Sequence, residues 1–357
     1  MESFVYQSNP ARVIFGSGTI NAVPDELSRL NLTKPFLLCT PQQVVQVEQL
    51  EKVIGGTVVG KFTEATMHTP VEVTEKAAAS VNSSGADCVL SIGGGSTIGL
   101  GKAISFRTGL YHLTIPTTYA GSEVTPILGE TENGLKTTKS NPKILPGTVV
   151  YDVDLTMTLP IGLSLVSGIN AIAHAVEALY AQNRNPIISL LAQQGVKSLA
   201  GALPGLKKDP KSLEHRRNAL YGAWLCGTCL GNVGMSLHHK LCHTLGGTFN
   251  LPHAETHTIV LPHALAYNAP KTPEAMKLLA EVLPGSNGDA VRGLNNLLES
   301  LGESRGLKDF GMKEEDIAKA AEIATKNAYW NPREIERAPI EELIRRAWAG
   351  EKARADL

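Results

Sequence analysis

The sequence has little net charge and few charged residues. Its 357 residues include 33 Lys and Arg against 34 Asp and Glu, and 19% of all residues are charged. This balance argues against a basic surface for nucleic acid, and 43% hydrophobic residues argue against a disordered scaffold. At roughly 150 residues per domain, the length predicts two globular domains.

Cysteine is scarce as well. Five cysteines, an odd number in a long chain, do not predict a disulfide framework. Cys226 and Cys229 form a lone CxxC without a second pair, which favours small core residues over a zinc knuckle. Cys242 could be a reactive thiol, but a buried bystander is the favoured interpretation.

The sequence gives no indication of a signal peptide or of a membrane-spanning segment. The start, Met1 to Tyr6, has neither a basic segment nor a long apolar run, so we expect a cytoplasmic protein. Two stretches, 155–176 and 218–239, carry no charge over about the length of a membrane span. Both contain several small polar residues and histidines, so we expect buried helices and no membrane partner.

The first half of the chain alternates β-rich runs with helical stretches such as 71–83. Strand–helix alternation is typical of a mostly parallel sheet with crossover helices. We therefore predict a Rossmann-like α/β nucleotide-binding domain over residues 1–157. The predicted strands are 12–16, 36–39, 57–59, 88–92 and 112–116.

The second half has no convincing strand, and we predict an all-helical domain over residues 158–357. Pro160, Pro186, Pro204, Pro252, Pro262 and Pro284 punctuate the helical runs. The predicted helices are 167–182, 187–202, 215–231, 237–245, 290–301 and 314–327.

Two small-residue loops follow predicted strands. Gly93, Gly94, Gly95 and Ser96 lie between a strand and a helix, where glycine lets the backbone approach a phosphate and helix N–H groups face negative charge. The range 117–123 is a second, hydroxyl-rich loop. A glycine triplet can simply connect two elements, but two such loops at strand ends suggest a bound dinucleotide.

Histidine is concentrated in one part of the sequence. Six of ten histidines fall between His238 and His263, and no Asp or Glu occurs from 215 to 254. His239 and His243 are four residues apart and share a helical face, as do Asn170 and His174. Such imidazoles hold a metal, arrange acid–base and hydrogen-bonding groups around a substrate, or are satisfied core histidines.

The motifs together resemble the iron-containing alcohol dehydrogenase family. They are 93–96, 116–118, 170–177, 239–247, 251–253 and 331–333, in order over nearly the whole chain. The resemblance implies a dehydroquinate synthase-like fold, a homodimer and an active site in the cleft between the domains. Loops 116–123 and 238–243 are similar to a subgroup that reduces the activated double bond of a keto-dicarboxylate in aromatic catabolism.

The resemblance also implies roles in binding NADH or NADPH. Gly93, Gly94, Gly95 and Ser96 would hold the pyrophosphate, Thr117 and Thr118 would line the nicotinamide, and Lys136 would reach the ribose. Thr40 stands where NAD-selective members carry an aspartate that repels a 2′-phosphate. We therefore expect no barrier to NADPH.

The family's four metal ligands fall on Asn170, His174, His239 and His253. Metal-dependent members have an aspartate at the first position, and a neutral amide supplies no charge to offset a cation. Three histidines can still hold zinc, but we expect that no metal is required. These four residues would bind the carboxylates and enolate oxygen of a dicarboxylate substrate.

The proton donor is expected to be His243 or Tyr329, although Tyr329 beside Trp330 could equally be a packing residue. Two alternatives remain open. One is a metal-dependent alcohol or polyol dehydrogenase of the same fold. The other is a non-catalytic nucleotide-binding protein, against which the histidine array argues because a binding module needs none.

Overall fold

The computed structural model describes residues 4–9, 12–132, 135–326 and 328–357. The chain divides into two compact units. One spans Ser8–Leu159, and the other spans Pro160–Leu357 together with the amino-terminal segment through Gln7. The side chains of Leu135 and Lys136 lie outside the described part. Lys136 is the residue predicted to reach the ribose.

The first unit is built on a parallel sheet. Among the described residues its strand order is β1-β8-β5-β4-β2-β3, and every neighbouring pair is parallel. The strands are β1 Arg12–Gly16, β2 Pro35–Leu38, β3 Gly60–Phe62, β4 Cys88–Gly93, β5 Tyr111–Pro116 and β8 Thr148–Asp152. The predicted α/β architecture is confirmed.

Helices cover the sheet, as parallel strands require. Leu37, Leu90 and Ile92 belong to one apolar cluster and Phe36, Leu38 and Val89 to another, so successive strand residues enter different cores. This alternation explains why the strands read as continuous apolar runs. The helices are α1 Val23–Arg29, α2 Val44–Ile54, α3 Val71–Ser84 and α4 Gly95–Thr108.

The predicted strand at 57–59 is wrong. The strand is β3, Gly60–Phe62, in which Gly60 pairs with Phe36 of β2. A Cβ at position 60 would lie 2.6 Å from the Phe36 ring, so the pairing needs a residue without a side chain there. The β propensity of Thr57 and Val58 is overridden by this tertiary contact.

A hairpin that was not predicted follows β5. β6, Ile127–Glu132, pairs antiparallel with β7, Leu135–Ser140, outside the main sheet. Its charged and hydroxyl residues do not alternate with enough apolar ones to give a clear strand pattern.

The second unit contains helices and no strand among its described residues. One of its apolar clusters includes Leu241, Leu245, Ile259, Leu343 and Ile344. The helices are α5 Ile161–Ala178, α6 Pro186–Lys208, α7 Leu213–Asn232, α8 Leu237–Phe249, α9 His253–Asn268, α10 Pro273–Val282, α11 Ala290–Leu301, α12 Asp316–Thr325 and α13 Arg337–Ala349.

Proline proved a poor guide to the ends of two helices. Pro204 lies inside α6, although the corresponding helix was predicted to end at residue 202. Pro262 lies inside α9, a helix that was not predicted. An interior proline costs about 3 kcal/mol, and the burial of nearly all of α9 outweighs it. The cost is tolerated because α9 packs against α5, α8 and α13.

Helix α5 has the length and apolar composition that a membrane crossing needs. However, 83% of that stretch is buried inside the fold, which agrees with the interpretation of 155–176 as a core helix. Cys226 and Cys229 are fully buried in α7, as expected of core residues rather than a zinc knuckle.

Candidate active site

Apart from Lys136, the predicted cofactor residues of the α/β unit lie on loops at one edge of the sheet. β2, β4 and β5 are neighbours, so their carboxyl-terminal loops lie side by side. Gln43 links these loops. Its amide nitrogen donates to the Thr117 hydroxyl at 2.8 Å, and its amide oxygen accepts from Thr40 at 3.1 Å and from Thr97 at 3.4 Å.

The glycines at this edge are required by close approach. Gly93 has φ +155°, and a Cβ there would lie 2.4 Å from the Gln43 amide oxygen. A Cβ on Gly94 would lie 2.8 Å from Thr118. Gly95, by contrast, is exposed at the first turn of α4, where backbone N–H groups suit a phosphate. This cradle fits a dinucleotide pyrophosphate.

In the helical unit, α5 presents a polar stripe in an otherwise apolar helix. Asn170, His174 and Glu177 are spaced at i, i+4 and i+7 and lie on one face. Each is at most 3% exposed. The Asn170 amide oxygen is buried without a hydrogen-bond partner among the described residues.

The carboxylate of Glu177 anchors the amino terminus of α8. It accepts hydrogen bonds from the backbone N–H groups of Ser236 at 2.8 Å and His238 at 2.7 Å, and from Nδ1 of His239 at 2.8 Å. Negative charge at a helix amino terminus is favourable, and here it also fixes a ring.

The rings of His239 and His174 are in hydrogen-bonding contact. Nε2 of His239 and Nδ1 of His174 are 2.9 Å apart. Nδ1–H of His239 donates to Glu177, which leaves Nε2 of His239 to face His174. Glu177, His239 and His174 therefore form a continuous chain of hydrogen bonds.

Three more histidines complete the cluster. The His257 ring centroid is 4.3 Å from that of His253 and 5.1 Å from that of His239. His238 Nε2 and His257 Nδ1 are 3.0 Å apart, and burial lowers the pKa of both imidazoles well below the usual range. This pair is therefore neutral and packed behind the other rings.

Cys242 lies beside this buried pair. One ligand atom from each of His238, Cys242 and His257 falls within 4.8 Å of the others. Burial raises the pKa of the Cys242 thiol well above its usual range, so the thiolate that a metal or an electrophile needs is disfavoured. The bystander interpretation of Cys242 is supported.

His243 lies on the accessible side of α8. It is exposed, and its Nδ1 shares a hydrogen bond of 3.1 Å with the hydroxyl of Tyr329. Burial raises the pKa of Tyr329, which keeps that hydroxyl protonated. The structure thus pairs the two residues predicted as alternative proton donors.

Asn331, two residues after Tyr329, holds this segment in place through hydrogen bonds. Asn331 and Asn268 exchange amide hydrogen bonds of 2.9 and 2.8 Å. The Asn331 amide oxygen also accepts from the Leu237 backbone N–H at 3.4 Å. The Asn331 motif therefore ties this segment to the start of α8 and the end of α9.

Glu177 and His257 were missed as site residues from the sequence. The stretch from 215 to 254 has no Asp or Glu, but the carboxylate of Glu177 in α5 contacts His239 within it. The charge-free run 155–176 ends at Glu177, and its spacing from His174 was the available signal. The absence of Asp and Glu from 215 to 254 therefore does not leave the site without a carboxylate.

A glycine cradle on a parallel sheet and a cluster of imidazoles on buried helices are the features expected of a dinucleotide-dependent oxidoreductase, and the family models agree with this class. Two family profiles match, Iron-containing alcohol dehydrogenase over residues 10–153 and Fe-containing alcohol dehydrogenase family, C-terminal, over residues 164–348. The chain belongs to the iron-containing alcohol dehydrogenase family.

Individual relatives are similar over the full length. The maleylacetate reductase of Rhizobium sp. (strain MTP-10005) is 51% identical, over 98% of this chain and 99% of that one. The crystal structure of maleylacetate reductase from Agrobacterium tumefaciens has a TM-score of 0.95 at 51% identity, covering 99% and 100% of the two chains. A putative alcohol dehydrogenase from Ralstonia eutropha JMP134 gives 0.97 at 50% identity, with 99% of each chain covered.

The family name raises the question of a metal at Asn170, His174, His239 and His253. Two nitrogens bound to one tetrahedral metal lie about 3.3 Å apart, and each must offer a lone pair. Here Nδ1 of His174 and Nε2 of His239 are 2.9 Å apart, a hydrogen-bonding distance that is shorter than this spacing. The Asn170 amide oxygen could ligate a cation but brings no charge. With these two nitrogens in direct contact, the arrangement does not fit a divalent cation held between them.

Proposed function

We propose that this chain reduces the carbon–carbon double bond of maleylacetate to give 3-oxoadipate, with NADH or NADPH as reductant and without a metal. The observation that carries the proposal is the direct contact of 2.9 Å between Nδ1 of His174 and Nε2 of His239, a hydrogen-bonding distance at two of the family's metal-ligand positions. The 51% identity to a maleylacetate reductase supports the same substrate.

A dinucleotide held at the glycine cradle of residues 93–96 would supply a hydride for the alkene carbon far from the ketone. Adding hydride there moves the π electrons toward the ketone oxygen, which becomes an enolate. Imidazole groups stabilise that oxygen, and a proton added to the neighbouring carbon restores the ketone. One hydride and one proton are consumed for each double bond.

His174, His253 and Asn170 are proposed to contact the substrate directly. Both ring nitrogens of His239 are engaged within the protein, one with Glu177 and one with His174. We therefore assign His239 to hold His174 rather than to contact the substrate. The neutral Asn170 avoids repulsion with a dicarboxylate at a position where an aspartate would repel it.

His243, assisted by Tyr329, is proposed to deliver the proton. Its exposure allows it to be reprotonated from solvent after each turnover. The hydrogen bond to Tyr329 holds the ring in one orientation. In the α/β unit, Gly93, Gly94, Gly95, Ser96, Thr117, Thr118, Thr40 and Lys136 are proposed to bind the cofactor.

The decisive experiment combines an assay with elemental analysis. The purified protein is treated with EDTA, its metal content is measured, and NADH and NADPH oxidation is followed with maleylacetate. We expect full turnover of maleylacetate without bound metal. Activity that disappears with EDTA and returns with Fe²⁺ or Zn²⁺, or turnover of simple alcohols instead, would support a metal-dependent alcohol dehydrogenase. A cytoplasmic location, a homodimer and a cleft shared by the domains stay predictions.

A further inference from the structure

Glu177 is a fully buried carboxylate that no step of the proposed reaction uses directly. It is 0% exposed, in a helix whose other buried residues are mostly apolar. Burying an unpaired carboxylate is costly, so its surroundings must compensate. They do so with hydrogen bonds from the first turn of α8 and from one imidazole.

This arrangement replaces the usual helix cap. Ser236 stands at the N-cap of α8, but its hydroxyl has no hydrogen-bond partner among the described residues. Glu177 of α5 instead accepts from the backbone of Ser236 and His238. The carboxylate therefore fixes the start of α8 relative to the α5 face that carries His174.

The same carboxylate determines where the proton of His239 lies. A carboxylate only accepts, so Nδ1 of His239 must be the donor at 2.8 Å. In the neutral ring the lone pair is then at Nε2, in position to accept from Nδ1 of His174 at 2.9 Å. One acceptor thus sets the tautomers and orientations of two rings.

We propose that Glu177 is a positioning residue that holds His239, and through it His174, in one tautomer and one orientation before substrate binds. Stabilisation of a developing enolate requires donors that are already in place, because reorganising them during the reaction costs energy. This inference rests on the proposed function for its kinetic test, but the proton positions can be measured without any turnover.

The direct test is ¹⁵N NMR of the whole protein labelled at histidine, with His174 and His239 assigned by single substitutions. We expect both rings to carry their proton on Nδ1 in the neutral form. A His239 ring with its proton on Nε2 would overturn the proposal. Absence of maleylacetate turnover would sink the proposed function and leave this measurement unaffected.

The kinetic test is Glu177→Met, which keeps the approximate side-chain length but removes the acceptor. We expect kcat for maleylacetate to fall about 10- to 100-fold, as is typical when a group that orients a histidine is lost. KM for NADH should not change. The His239 signal should shift toward the Nε2–H tautomer.

Glu26→Met is the matched control. Glu26 is also buried and hydrogen-bonded, but it belongs to the α/β unit, where it contacts Arg29 and Thr148. Its loss should lower stability and leave kcat unchanged. If Glu177→Met behaves the same way, or loses activity with the tautomer unchanged, the role is only structural and the proposal is wrong. If Glu177→Met does not fold, the tautomers of the unaltered protein decide.

Discussion

His243 and Tyr329 share one hydrogen bond, and a double-mutant cycle decides which of them delivers the proton. Tyr329→Phe removes a single hydrogen bond, worth about 0.5–1.5 kcal/mol. If Tyr329 only orients His243, kcat/KM should fall about 2- to 13-fold, since 1.36 kcal/mol is a factor of ten. His243→Ala should reduce turnover by about 10²–10⁴-fold, as expected for loss of a general acid.

The double variant separates the two roles. If Tyr329 acts through His243, adding Tyr329→Phe to His243→Ala should change nothing further, because the ring it orients is gone. The assay is steady-state oxidation of NADH with maleylacetate. Tyr111→Phe, which removes a 2.8 Å hydrogen bond to Thr148 in the α/β unit, is the control and should leave kcat unchanged.

Two outcomes would refute this reasoning. A loss of about 10²–10⁴-fold in Tyr329→Phe with a mild effect of His243→Ala would make the tyrosine the proton donor. Unchanged kinetics in His243→Ala would remove His243 from the mechanism altogether.

Three further predictions concern the metal, the cofactor and stability. Asn170→Asp restores a charged ligand and should raise Zn²⁺ content measured by elemental analysis; a variant that stays metal-free in metal-rich medium would contradict the charge argument. Thr40→Asp should lower kcat/KM for NADPH at least about tenfold relative to NADH, because a carboxylate repels the 2′-phosphate; an unchanged ratio would place Thr40 outside the cofactor site. The Arg29 hydrogen bond lowers the pKa of Glu26 to about 2, so Glu26 stabilises the fold above its ordinary pKa of 4.5 and loses that effect as pH falls toward 2. The stability deficit of Glu26→Met, measured by urea unfolding, should therefore shrink between pH 4.5 and pH 2; a constant deficit would contradict the linkage.

The parallel sheet was largely predictable because its central strands are short apolar runs that stay buried on both sides. β4 was predicted at 88–92 and lies at Cys88–Gly93, with every residue buried. β3 could not be placed in the same way. Its position depends on the Phe36 ring needing Gly60 opposite it, which is a contact between distant parts of the chain.

The candidate site was predictable where spacing along one helix suffices. Asn170 and His174 on α5, and His239 and His243 on α8, share faces as their four-residue intervals require. The pairing of His243 with Tyr329 joins residues 86 positions apart. No interval in the sequence encodes that contact, although the family resemblance had drawn attention to Tyr329.

The sequence by itself indicated an α/β half and a helical half, the glycine cradle and most of the imidazoles, because these depend on local periodicity and on residue type. Only the tertiary structure decided which charged side chain lies next to the imidazoles. The histidine-rich stretch has no acid of its own, yet Glu177 enters from another helix at 2.8 Å from His239. Proton positions in the site depend on that contact between helices, because an imidazole takes its tautomer from the partner it meets in space.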